Sequence, residues 1–266
     1  MKKLLSTLAV VLTSAVVLTA CGSSSGAQTL RVGTLTDAPP SIYLENGRFT
    51  GYDNELLRDI AKREGFQVEF VGTEFSSLLA KVASGQLDIG SSTISATAAR
   101  KKTVSFSNGY DTSYTTVVTE KGAALTQAGS FGGKRLGVVQ GSVQDEFAGK
   151  LAGAQVVRFP DYNAGFAQLR SGALDGWVVP KDIGQRYLEQ NPGVPLEFGY
   201  TVLDKDTPSA YAVAKSDPDL LAKINDGLAK AIADGTVARL HAQFFKQAVL
   251  APELAKGGPG LPVKNS

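Results

Sequence analysis

"DNELLRDIAKREGFQVEFV", residues 53–71, changes its period partway along. Leu56, Leu57, Ile60 and Ala61 recur at the spacing of one helical face, and charged residues occupy the other. Asp53 is placed to cap this helix and Gly65 to end it. From Phe66 apolar and polar residues alternate, the period of a strand. The flanks complete the unit. "TLRVGTL" (29–35) reads as a strand upstream. "FSSLLAKVASG" (75–85) repeats the helical pattern through Leu78, Leu79 and Val82, and "LDIGSS" (87–92) is the next strand. Strand–helix–strand–helix–strand predicts a parallel sheet flanked by helices.

A second round follows residue 130. "KRLGVVQG" (134–141) is a strand ending in a glycine turn, with a helix expected over 142–150. "AQVVRF" (154–159), a helix over 162–171 and "LDGWVV" (174–179) repeat the plan. Two such units predict two α/β lobes. A strand-like segment at 206–215 precedes helices expected over 217–234 and 235–247, and residues 251–266 read as a loose tail.

The N-terminus bears on compartment. Lys2 and Lys3 precede a short apolar run, Leu4–Val17, too short for a spanning helix and suited to a secretion signal over 1–20. "LTAC" (18–21) resembles a bacterial lipobox, which implies lipidation of Cys21 and a flexible tether over 21–28. Cys21 is the only cysteine, so neither an intrachain disulfide nor a cysteine metal site is available. The 27 basic and 25 acidic residues become 25 of each once Lys2 and Lys3 are removed. A neutral mature chain has no global field for polyanions, which argues against a nucleic-acid partner for the basic cluster Arg100–Lys102.

"LRVGT", "GYDNELLRDIAKREG", "LLAKVASGQLDI", "TAARKKTVSFS", "GKRLGVVQGS", "LRSGALDG" and "ADGTVARLHAQFF" follow one another in an order that resembles family 3 of the bacterial extracellular solute-binding proteins. That resemblance implies a two-lobed periplasmic-binding-protein fold (type II). Each lobe is then a mostly parallel sheet flanked by helices, with two hinge crossings near 112–119 and 206–214. Lobe 1 is expected over 29–115 and 208–250, and lobe 2 over 116–207. The implied partners are an amino acid or related small carboxylate, the permease subunits of an ABC importer, and the membrane through a lipid anchor alone. A monomer without cofactor or metal is expected.

The resemblance also assigns residues. Thr97, Arg100 and Phe106 keep the spacing that puts the arginine in the cleft against a ligand carboxylate, a bidentate pairing that lysine matches poorly. Lys101 and Lys102 are then solvated. Ser95 stands where a hydroxyl and a backbone N–H meet the same carboxylate, and Thr93 where a backbone carbonyl receives an amino group. Phe75 is the aromatic wall or, alternatively, a core residue in step with Leu78 and Val82. Gly141 and Ser142 form a turn at a helix start, with Gln140 and Gln144 nearby.

Departures from the family pattern concern the ligand's amino group. Ala38 and Ser41 replace aromatic residues, leaving Tyr43, Tyr52 or Phe75 to form the wall. Pro180 and Leu35 occupy positions where acids are expected. A buried ammonium without a carboxylate is costly, so either Asp37, Glu74 or Asp182 supplies the counter-charge or the ligand lacks an α-ammonium. Trp177 reads as lobe-2 core and His241 as structural. Two alternatives to a transport receptor are a cleft enzyme resembling cyclohexadienyl dehydratase, which needs a positioned acid or base, and a ligand-sensing domain.

Overall fold

The computed structural model describes residues 27–246, 249–255 and 257–265, so the signal region and Cys21 lie outside the described residues. The chain opens with β1 (Thr29–Thr34) and a small antiparallel ribbon of β2 (Asp37–Ala38), β3 (Ile42–Glu45) and β4 (Arg48–Thr50). Then α1 (Tyr52–Arg63), β5 (Gln67–Gly72), α2 (Phe75–Ala83) and β6 (Ile89–Ser95) complete the first unit. After α3 (Ala98–Lys101) and β7 (Val104–Phe106) comes the long β8 (Asp111–Glu120). The second unit is β9 (Arg135–Val139), α4 (Val143–Gly149), β10 (Gln155–Phe159), α5 (Tyr162–Arg170) and β11 (Gly176–Pro180). Next, α6 (Lys181–Gln190) leads to β12 (Leu196–Ala214), and α7 (Pro218–Ala233), α8 (Thr236–Phe244) and α9 (Pro252–Ala255) complete the described elements.

The two α/β lobes expected from the sequence are present. The strand order is β10-β9-β11-β8-β12-β6-β1-β5, with β7 also on β12. In each lobe the unit's first strand is central and its neighbours run parallel to it, β5 and β6 beside β1, β10 and β11 beside β9. β8 and β12 pair antiparallel from Asp111↔Ser209 to Leu196↔Glu120 and join the lobes. The second crossing is longer than its sequence pattern suggests, because β12 starts at Leu196.

Both units close their lower edge with the same clip. The Arg31 N–H donates to Asp88 Oδ2 at 2.6 Å while its guanidinium donates to the Gly85 carbonyl at 2.9 Å. In lobe 2 Arg135 N–H donates to Asp175 Oδ2 at 2.8 Å and its guanidinium to Gly172 O at 3.0 Å. "SGQLD" and "SGALD" are thus the same structural word used twice.

The cores differ. In lobe 1, Leu56, Leu57 and Ile60 of α1 pack on Ile224 and Leu228 of α7 and Val237 of α8. His241 is buried here, edge-on to Tyr52 at 5.8 Å. In lobe 2 the fully buried Trp177 sits edge-on to Phe159, Tyr162 and Phe166, the core position expected of it. Its indole has room because Gly137 and Gly165 lack a side chain; a Cβ there would come within 2.5 and 2.2 Å of the ring.

Two expectations are corrected. Asp53 does not cap α1; Gly51 holds the cap position and Asp53 turns inward from the first turn. The tail is not loose. Gly109 and Leu261 exchange both backbone hydrogen bonds at 2.8 Å. Asn265 accepts from Phe106 N at 2.9 Å and donates to Phe106 O at 2.7 Å, standing in for a strand partner on β7. Gly260, with φ of 101°, permits the contact, since a Cβ would lie 2.9 Å from Gly109 O.

Candidate functional site

The C-terminal ends of β6 and β9 and the start of α6 meet between the lobes, where open α/β sheets place ligands. They enclose about 500 Å³ of space without protein atoms, including its mouth. Arg100, Ser95, Thr93, Phe75, Ser142 and Asp182 all line it, six residues singled out in the sequence for a ligand.

Arg100 is placed by local chemistry. Thr97 caps α3, its hydroxyl accepting from Arg100 N at 3.3 Å, which starts a helix just long enough to turn the guanidinium back. Nη1 donates to the Ser95 carbonyl and Nη2 to the Gly141 carbonyl of the other lobe, each at 3.0 Å. The guanidinium carbon lies 5.1 Å from the centre of the Phe75 ring. Arg100 is only 8% exposed, and burial lowers its pKa to about 10, opposed by Glu146. Among the described residues it forms no ion pair. A charged guanidinium therefore sits in the cleft with carbonyl partners and no anion.

Below it, Thr93 has a φ of 42°, a left-handed conformation that a β-branched residue adopts at a cost. Asp53 holds it there, accepting from Thr93 N at 2.6 Å and from the Tyr110 hydroxyl at 2.6 Å. Burial raises the Asp53 carboxyl to about pH 7. Its role was hidden in the sequence, where it reads as a helix-start acid.

At the far side, Asp182 in the first turn of α6 accepts from the Ser41 hydroxyl of lobe 1 at 2.7 Å. The second acid lining the cavity is Asp111, the first residue of β8. Asp111 accepts from Thr112 N at 2.8 Å. Burial raises both carboxyls above the usual range, and Asp182 adds to the shift on Asp111 by like-charge repulsion. Neither makes an ion pair among the described residues. Asp111 was missed because the first crossing was expected only from about 112; its one signal is an acid at the entrance to a crossing strand. Tyr162 and Gln144 also line the cleft, the latter donating to Thr115 Oγ1 at 3.0 Å.

Other candidates lie elsewhere. Asp37 is outside the cavity lining; its carboxylate accepts from Asn163 N at 2.8 Å and ties β2 to the start of α5. Gly141 is also outside the lining, with its N–H given to Asp145 and its carbonyl to Arg100. Ser142 hydrogen-bonds Asp145 N as the α4 cap. Glu74 and Gln140 are exposed outside the lining, Tyr52 is buried in the lobe-1 core, and Tyr43 is on the ribbon. Leu35 and Pro180 do line the cavity, as apolar surfaces.

The family "Bacterial extracellular solute-binding proteins, family 3" matches residues 30–247. The arginine-binding extracellular protein ArtP of Bacillus subtilis (strain 168) is 31% identical over 239 residues, 86% of this chain and 92% of that protein. Among solved structures, an ancestral arginine-binding protein bound to arginine superposes with a TM-score of 0.79 at 31% identity, covering 83% of this chain and 99% of the other. The ancestral amino acid-binding protein AncCDT-1, a precursor of cyclohexadienyl dehydratase, matches with a TM-score of 0.75 at 28% identity over 82% and 95% of the two chains. The family match spans most of the chain, these three relatives are amino-acid-binding proteins, and the two solved ones share its fold; the chain belongs to family 3 of the bacterial extracellular solute-binding proteins.

Proposed function

We propose that this protein is the extracytoplasmic receptor of an ABC importer and captures an α-amino acid between its lobes. The observation that carries the reading is that one cleft is lined by a buried guanidinium and by carboxyls, none of them in an ion pair among the described residues. Arg100 takes the ligand's α-carboxylate by its remaining donors, with Ser95 and Ser142 beside it. Thr93 offers its carbonyl to the ammonium, and Asp182 with Asp111 supplies the counter-charge that Pro180 lacks. Phe75 and Tyr162 form the walls. Lobe 1 (29–115 and 208–250) and lobe 2 (116–207) close by rotation about β8 and β12. Asp37–Asn163, Ser41–Asp182 and Arg100–Gly141 are the contacts such closure makes.

A thermal-shift screen with the proteinogenic amino acids, followed by calorimetry, tests this reading, because a ligand that binds only the folded state raises stability. Arg100→Ala is expected to weaken the best ligand by about 2–5 kcal/mol, as for truncating one side of a buried charge pair. Unchanged affinity would return Arg100 to a merely interlobe role. Cys21 anchors the receptor through lipid. Cys21→Ser is expected to release it from the membrane fraction of its host, and retention of the variant there would remove the anchor.

A further inference from the structure

More acid than base lines the cleft. Arg100 is the one cationic residue lining it, whereas Asp111 and Asp182 are both acidic. All three lack an ion-pair partner among the described residues. The basic residues nearest Asp182 in sequence do not neutralise it. Lys181 lies over the Tyr114 and Phe198 rings at 5.6 and 5.9 Å, and Arg186, one turn beyond Asp182, makes no ion pair with it among the described residues. Asp53 lies below the floor outside the lining, committed to Thr93 and Tyr110.

An amino acid with a neutral side chain brings one negative and one positive charge. The negative charge satisfies Arg100 and the positive one satisfies a single carboxylate. The second carboxylate would remain among Leu35, Phe75, Val139 and Tyr162, where an uncompensated charge is costly. Among the described residues no group of three or more His, Cys, Asp or Glu is placed to hold a metal ion there.

We infer that the ligand carries a second cationic group, so that Asp111 and Asp182 each face a positive charge. The ligand class is a cationic α-amino acid with an ammonium or guanidinium side chain. This rests on the amino-acid reading above and adds to it a requirement on net charge. It also makes Asp111 the specificity-determining residue, since Asp182 already has the Ser41 hydroxyl while Asp111, among the described residues, has only the adjacent backbone N–H.

Calorimetry on the full chain with L-arginine, L-lysine, L-citrulline and agmatine separates the two levels of the claim. Citrulline keeps the length and planarity of arginine but is uncharged at the end; agmatine keeps both cations and lacks the carboxylate. Arginine or lysine is expected to bind at least about 100-fold tighter than citrulline, two factors of ten at about 1.4 kcal/mol each. Asp111→Asn should bring that ratio below about tenfold, chiefly by weakening the cationic ligand. Citrulline within threefold of arginine in the wild type would overturn the charge requirement and leave the receptor reading standing; that comparison needs no variant to fold. Agmatine binding as tightly as arginine would instead overturn the carboxylate clamp, and the receptor reading with it. Asp182→Asn and Asp111→Asn are read together. A collapse of the ratio in Asp182→Asn alone would overturn the assignment of specificity to Asp111.

Discussion

The two lobes are built alike below and unlike above. Arg31–Asp88–Gly85 and Arg135–Asp175–Gly172 make the same clip at the lower edge of each sheet. Counting from the shared "LD", Thr93 answers to Pro180 at the end of β11 and Ser95 to Asp182 at the start of α6. From those ends lobe 1 sends Arg100 into the cleft, held by the Ser95 carbonyl, and lobe 2 sends Asp182. One supersecondary plan delivers opposite charges to one cavity. The shared parts fix the sheets, and the divergent ends carry the chemistry.

The loss of ligand affinity forecast for Arg100→Ala is the strongest test of that division. A second contrast lies in the first turns of α1 and α4. Asp145 in lobe 2 accepts from Gly141 N and pairs with Arg158 at 2.9 Å; Asp53 in lobe 1 accepts from Thr93 N and has no cationic partner among the described residues. With its folded pKa near 7 against 3.8 for the free group, Asp53 binds its proton more tightly in the native state than in the unfolded chain. Its contribution is therefore present at low pH, declines from about pH 4 through 7 and then levels, a difference of about 4 kcal/mol at about 1.4 kcal/mol per unit. Urea titrations of wild type and Asp53→Asn at pH 5 and 8 check it. The variant should lose less stability between the two values, and parallel losses would mean that Asp53 is charged throughout.

The smallest effect concerns packing. In lobe 1 the partner of Gly33 across the sheet is Gly90, whereas in lobe 2 the partner of Gly137 is Trp177. The indole fills the gap between Gly137 and Gly165. Gly165→Ala is expected to destabilise lobe 2 by about 1–3 kcal/mol through overpacking, read from the denaturation midpoint. An unchanged midpoint would show that the indole can shift.

The sheets and their helices were legible because periods of two and of three to four recur in clean blocks, as in 53–71. The cleft positions of Arg100, Ser95 and Thr93 were legible through a spaced motif on the β6–α3 turn, and that of Phe75 through its place at the start of α2. Asp111 was not, because its place depends on a pairing with Ser209, far along the chain. Nor was the inward turn of Asp53, since helix-start acids more often face solvent or the cap. Asp37 misled because proximity in sequence to the apolar Leu35 says nothing about which lobe its carboxylate meets. The ribbon β2–β4 was missed because its strands are too short to show a period.

The clasp between Asn265 and β7 bears on how this protein is handled at the bench. A recombinant version trimmed at residue 247, where the family match stops, would lose Gly260, Leu261 and Asn265 together. The backbone of Phe106 would then present an unpaired donor and acceptor at a strand edge, the kind of surface that recruits a second chain. Boundaries drawn from similarity alone would thus turn a clean preparation into one prone to self-association.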